Sequence, residues 1–145
     1  MSVASRMPSL PSLIVSAVVI AGVGLMAWKF MGTASSSQVT VKVPALSAMA
    51  TRGEASFTQA CASCHGVNAS GTDLGPPLVH DIYNPGHHGD GSFFAAGQRG
   101  VRAHHWPFGN MPAQPQIKQA EMTNIIRYVR ELQIANGIVF KQHKM

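Results

Sequence analysis

Two cysteines and a histidine stand together in Cys61-Ala62-Ser63-Cys64-His65, a C-x-x-C-H run with the spacing of a c-type haem attachment site. Residues three and four apart share one face of a helical turn, so Cys61, Cys64 and His65 can all address one flat ligand. The two thiols then form thioether bonds to the macrocycle, and the imidazole of His65 reaches the iron. Other chemistries fit less well. A thioredoxin-like C-x-x-C does not call for the histidine and follows a strand in a βαβ pattern, which the sequence lacks. Zinc needs two further ligands at short spacing, and His80, His87 and His88 lack the H-x3-5-H interval of a finger. A disulfide across two residues closes too small a loop to stabilise much.

The iron's other face needs a second ligand. Met111 stands in Gly109-Asn110-Met111-Pro112, where the proline fixes the backbone and the surrounding loop suits a ligand that must reach over a haem edge. Met49 and Met122 lie on helical stripes and read as core packing instead. An iron held by His65 and Met111 has no vacant position for a substrate, and thioether ligation raises its reduction potential, so such a centre passes single electrons. Were Met111 only a core residue, an open iron would bring back oxygenase, peroxidase or gas-sensing roles. Arg99 and Arg102 are forked donors suited to haem propionates, or else a solvated face for an acidic partner. Trp106 reads as a wall of the haem pocket or a propionate donor. His80, His87, His88, His104 and His105 are solvated loop histidines, hydrogen-bonding groups, or ligands of a second metal such as copper or zinc. His104 or His105 on the iron in place of Met111 would give a bis-histidine centre.

These groups need elements to hold them. A helix is expected from near Ser47 to about Ala60, with Met49 or Ala50, Gly53, Phe57 and Cys61 along its apolar face. Gly53 costs about 1 kcal/mol relative to alanine in a helix interior, so close approach of another helix is its expected reason. That partner lies between Pro115 and Gly137, where Met122, Ile125, Ile126, Val129 and Leu132 repeat at helical spacing. Arg127, Arg130, Glu131 and Gln133 are expected on its other faces, and Tyr128 beside the stripe can cross Gly53. Gly137 after Asn136 is the expected C-terminal cap. Between Cys64 and Pro115 glycine and proline are frequent and no alternating strand occurs. Only Ser92 to Arg99 reads as helix there, with Ser92 as cap and Phe93, Phe94 and Ala96 to bury. So long an irregular segment needs something to pack on, and a haem supplies a large apolar disc.

From about Ala50 to Gly137 the chain resembles a class I monohaem cytochrome c. The resemblance rests on Gly53 and Phe57, Cys61 to Gly66, Gly75-Pro76-Pro77-Leu78, Asn110-Met111-Pro112 and Tyr128. It implies an all-α domain wrapped around one covalent haem c and acting in electron transport, with Gly75 and Pro76 in the haem pocket. It also implies that the Pro76 carbonyl accepts the Nδ1 proton of His65, fixing its tautomer and orientation.

The N-terminal part falls outside that resemblance. From Met7 to Trp28 no residue is charged, and Arg6 and Lys29 bound the run. As a helix it measures about 33 Å, enough for a hydrocarbon core of roughly 30 Å. It is longer than the apolar stretch of a signal peptide, and Trp28-Lys29-Phe30-Met31 places bulk and charge where a cleavage site needs small residues. Residues 1–31 are therefore expected to be a retained single-pass anchor, with an uncleaved or removed signal as the alternative. Residues 32–46 read as a flexible tether, 47–137 as the cytochrome domain and 138–145 as a tail. The tether and the start of the next helix could extend about 65 Å.

Haem attachment outside the cytoplasm, as the resemblance implies, puts the haem domain on the external or periplasmic side of the cytoplasmic membrane. The expected partners are redox proteins, as donor and acceptor. Net charge is +5, but no lysine-rich run or basic stripe with interleaved aromatics occurs, which excludes a nucleic-acid partner. A fixed subunit of an oxidase or dehydrogenase complex is the alternative among electron carriers.

Overall fold

The structure, a computed structural model, describes residues 10–31 and 38–142. Arg6, the serine-rich opening of the expected tether at 32–37 and the end of the tail at 143–145 lie outside the described residues.

α1 (Leu10–Met31) belongs to a unit separate from the rest of the chain. All its residues from Ile14 to Ala27 are exposed, including Ile20 and Leu25. Among the described residues no helix is long and apolar enough to cross a membrane.

In the second unit the expected helices form with small shifts. α2 (Ala48–Ala60) starts where the Ser47 hydroxyl accepts the Ala50 N–H at 3.2 Å. α3 (Ala62–His65) follows after one kinked residue, Cys61. α4 (Asp90–Arg99) begins two residues before the expected cap: Gly89 is the cap, and the Ser92 hydroxyl donates back to its carbonyl at 2.6 Å. α5 (Gln119–Ala135) ends before Gly137, whose φ of +78° suits the glycine expected there. Among the described residues no strand forms, and the only pairing of extended chain is a bridge between Val101 and Met111.

α2 crosses α5 at Gly53, where a Cβ would fall on the Asn124 carbonyl. Phe57 and Tyr128 meet beside the crossing with ring centroids 5.5 Å apart, and the Tyr128 hydroxyl donates to Asn68 at 3.0 Å. Ala50, Phe57, Met122, Ile125, Ile126, Val129 and Leu132 are buried together. Met49 departs from expectation: it is 41% exposed, because Ala50 takes the inward position.

Two further expectations are corrected. Arg130 and Gln133 do not lie on a solvent face; the Gln133 side chain is fully buried and donates to the Leu78 carbonyl at 2.8 Å. Both stand on the helical face of Met122, eight and eleven residues on. The second half of the expected tether is docked, not free. Val39, Val41 and Leu46 pack against the core, Val39 N–H donates to the Ser70 carbonyl at 2.8 Å, and the Asn136 amide both accepts from Lys42 N–H (2.9 Å) and donates to its carbonyl (2.8 Å).

Candidate haem site

α2 passes its last hydrogen bond to Cys61, whose N–H donates to Phe57 at 2.8 Å. The Cys61 carbonyl in turn accepts from Cys64 (3.2 Å) and His65 (2.9 Å), which closes the turn carrying all three predicted residues. Gly66 stops it with φ +76°, where a Cβ would strike the Gly71 carbonyl. Cys61 and His65 line a cavity of about 520 Å³ bounded mainly by apolar side chains. Cys64 is exposed and outside that wall. Burial, with the neighbouring Cys64 adding to it, pushes the Cys61 thiol up to about 11, so it is a thiol at neutral pH.

His65 Nδ1 lies 2.8 Å from the Pro76 carbonyl oxygen. A carbonyl only accepts, so Nδ1 carries the proton. Burial holds the imidazole below its ordinary value, partly countered by this bond, and the neutral ring therefore has Nε2 bare as a ligand atom. Gly75 makes the contact possible: a Cβ there would lie 3.0 Å from the Cys64 carbonyl oxygen. The Thr72 hydroxyl also donates to that oxygen, at 2.5 Å.

Met111 lines the same cavity. Its N–H and carbonyl pair with Val101 at 2.9 and 3.0 Å, and Gly100, at φ +74°, leaves room for the Met111 carbonyl. Trp106 is also in the wall; its buried indole N–H stands near the Tyr83 hydroxyl but makes no well-formed hydrogen bond to any described residue. Burial pushes the Tyr83 phenol up to about 12, with that N–H acting the other way. Arg99 is exposed at the end of α4 and outside the wall, whereas Arg102 lines it. His88, His104 and His105 are in the wall too. Burial first, then the charges of neighbouring histidines, hold His88 and His105 below the ordinary imidazole value.

A family model described as Cytochrome c matches residues 50–133. The chain belongs to the cytochrome c family. Its cofactor is therefore a covalently bound haem c, and its chemistry is haem-based electron transfer. No curated protein and no solved structure matches the chain.

The residues of this cytochrome fit that group. Paired thiols stand one turn apart, a neutral imidazole has its ligand nitrogen bare, the cavity is apolar, and an indole N–H lacks a good acceptor. A propionate oxygen supplies such an acceptor. The residue that sequence reasoning undervalued is Arg130. Its guanidinium donates to the carbonyls of Tyr83 (2.8 Å) and His88 (2.6 Å), pairs with Asp90 (2.8 Å) and stacks 4.8 Å from the Phe93 ring centroid. It thereby ties the loop carrying Tyr83 and His88 to α5.

Proposed function

We propose that this cytochrome is a one-electron carrier whose iron is held by His65 and Met111, attached by its N-terminal helix to the external face of the cytoplasmic membrane. The observation that carries the reading is the position of Met111 in the wall of the cavity that His65 and Cys61 also line, pinned by its bridge to Val101. Haem c, when bound, supplies an iron that cycles between the ferrous and ferric states. The chain's part is to hold it: Cys61 and Cys64 as thioethers, His65 oriented by Pro76, and Met111 filling the remaining position so that no substrate or gas enters. Absorption spectra test this. The native protein should be six-coordinate and low-spin, with a weak near-infrared band and no carbon monoxide binding. Met111→Ala should lose that band and bind carbon monoxide. A native protein that binds carbon monoxide readily would instead favour a haem enzyme or sensor.

The uncharged run from Met7 to Trp28 supports the anchor, and haem chemistry supports the external side. Haem staining of membrane and soluble fractions tests it: the haem band should follow the membranes and move to the soluble fraction when residues 1–31 are replaced by a cleavable export signal. Docking of residues 38–46 on the cytochrome domain favours a second reading, a fixed subunit of a larger redox complex, because that half of the segment adds nothing to the domain's reach. Co-purification with a redox enzyme in mild detergent would support that reading over a carrier swinging between partners.

A further inference from the structure

Two loops from separate parts of the chain bring four histidines together at the rim of the haem cavity. His87 and His88 come from the loop before α4, and His104 and His105 from the loop after it. One ligand atom from each of His87, His88 and His105 lies within 4.8 Å of the other two. The Nε2 atoms of His87 and His105 are 3.2 Å apart. Two nitrogens bound tetrahedrally to one zinc at 2.0–2.1 Å would be about 3.3 Å apart, so this pair already stands at ligand spacing.

The cluster also has outer support of the kind metal sites use. His88 Nδ1 donates to the Ile82 carbonyl at 2.8 Å, which leaves its Nε2 bare. His104 Nδ1 donates likewise to the Arg102 carbonyl at 2.8 Å. The backbone of the first loop is fixed, since Asn84 is buried, its carbonyl accepts the N–H groups of His87 (3.0 Å) and His88 (2.9 Å), and Arg130 holds the His88 carbonyl. The second loop is tied by the Ala103 N–H to Asn110 at 2.9 Å. Only His105 is exposed among the three, so its side chain is the one with rotamer freedom to adjust to a bound ion. Asp90, the nearest acid in sequence, is engaged by Arg130, so the ligand set is imidazole alone.

We propose that His87, His88 and His105 form a binding site for one divalent cation of the zinc and copper class, with His104 or water completing the coordination. Imidazole ligands select that class over magnesium or calcium, which take oxygen. The site is distinct from His65 and Met111, and it rests on Met111, not His104 or His105, being the iron's second ligand. Because His88 and His105 line the cavity, a bound cation would add a positive charge at its wall.

The test uses the haem-loaded full chain, stripped with chelator and titrated with Zn²⁺ against a chromophoric competitor. One equivalent should bind tightly. His105→Gln and His87→Gln, each at a position that is not part of the buried core, should weaken binding at least tenfold, and His87→Gln, which is outside the cavity wall, should leave the haem absorption spectrum unchanged. His143→Gln and His80→Gln should leave affinity unaltered. With Cu²⁺ in place of Zn²⁺, the electron paramagnetic resonance signal should show nitrogen hyperfine structure that His105→Gln simplifies. Absence of stoichiometric uptake, or uptake indifferent to both His87→Gln and His105→Gln, overturns the proposal and leaves the cluster as hydrogen-bonding groups at the cavity rim.

Discussion

His65 Nδ1 sits 2.8 Å from the Pro76 carbonyl oxygen, and the glycine before Pro76 packs on the backbone of Cys64. The turn that attaches the haem and the loop that orients its histidine are thus one packed unit. Gly75→Ala should force that unit apart by pressing on the Cys64 carbonyl. It is expected to cost about 1–3 kcal/mol in denaturant unfolding of the haem-loaded protein. A weaker bond to Nδ1 makes the histidine a poorer donor to iron, so the reduction potential should also rise. An unchanged potential alongside lost stability would separate packing from orientation.

Gly53→Ala tests the crossing of α2 and α5. The new Cβ meets the Asn124 carbonyl, a backbone atom with no rotamer to escape into. The loss should be about 3 kcal/mol or more, although alanine is the better helix former. Thermal melts of the two proteins decide it, and a gain in stability would mean the helices do not touch there.

The helices and the turn from Cys61 to His65 were legible because local rules set them: Met122 to Leu132 keep one spacing, and Gly53 demanded a neighbour. The family resemblance added the expected bond from His65 to Pro76, and the structure has it. What local rules missed has a common cause. Arg130 and Gln133 were read by polarity, as solvent-facing, yet their register with Met122 turns them inward, where loop carbonyls satisfy them. The docking of Val39 and Val41 depends on Ser70 and Asn136, far along the chain. Arg99 and Arg102 are three residues apart, and only the course of the chain after Gly100 decides which lines the cavity.

Trp106→Phe removes the indole N–H that lacks a well-formed bond within the protein. If a haem propionate accepts it, the substitution should cost the haem-loaded protein about 1.5–3 kcal/mol, the range for a hydrogen bond to a charged group. Chemical denaturation followed at the Soret band measures this. A neutral or stabilising effect would show that the N–H has no partner in the loaded protein either.

Arg130→Lys keeps the charge but loses the fork that reaches Tyr83, His88 and Asp90 together. A lysine ammonium cannot span these acceptors from one point. The expected cost is about 2–4 kcal/mol, with faster amide exchange across residues 83–90 than across α2. Uniform exchange changes throughout the domain would argue against a local tie.

Glu131 gives the domain a predictable acid limit. Burial alone would raise its carboxyl, but the Ser47 N–H (2.9 Å), the Ser47 hydroxyl (2.7 Å) and the Arg127 guanidinium (2.6 Å) outweigh that and hold it below the ordinary value. A carboxyl depressed in the folded state contributes stability that is fully present above its unfolded value of 4.5 and is lost as pH falls through the folded one. The stability of the wild-type protein should therefore fall on acidification below about pH 4.5 more steeply than that of Glu131→Gln. The exposed pairing with Arg127 adds little by itself, and the helix cap is the larger part. Ser47→Ala should accordingly cost about 1 kcal/mol at neutral pH and flatten the acid slope. Urea midpoints at a series of pH values measure both effects, and parallel curves for wild type and Glu131→Gln would place the acid sensitivity elsewhere.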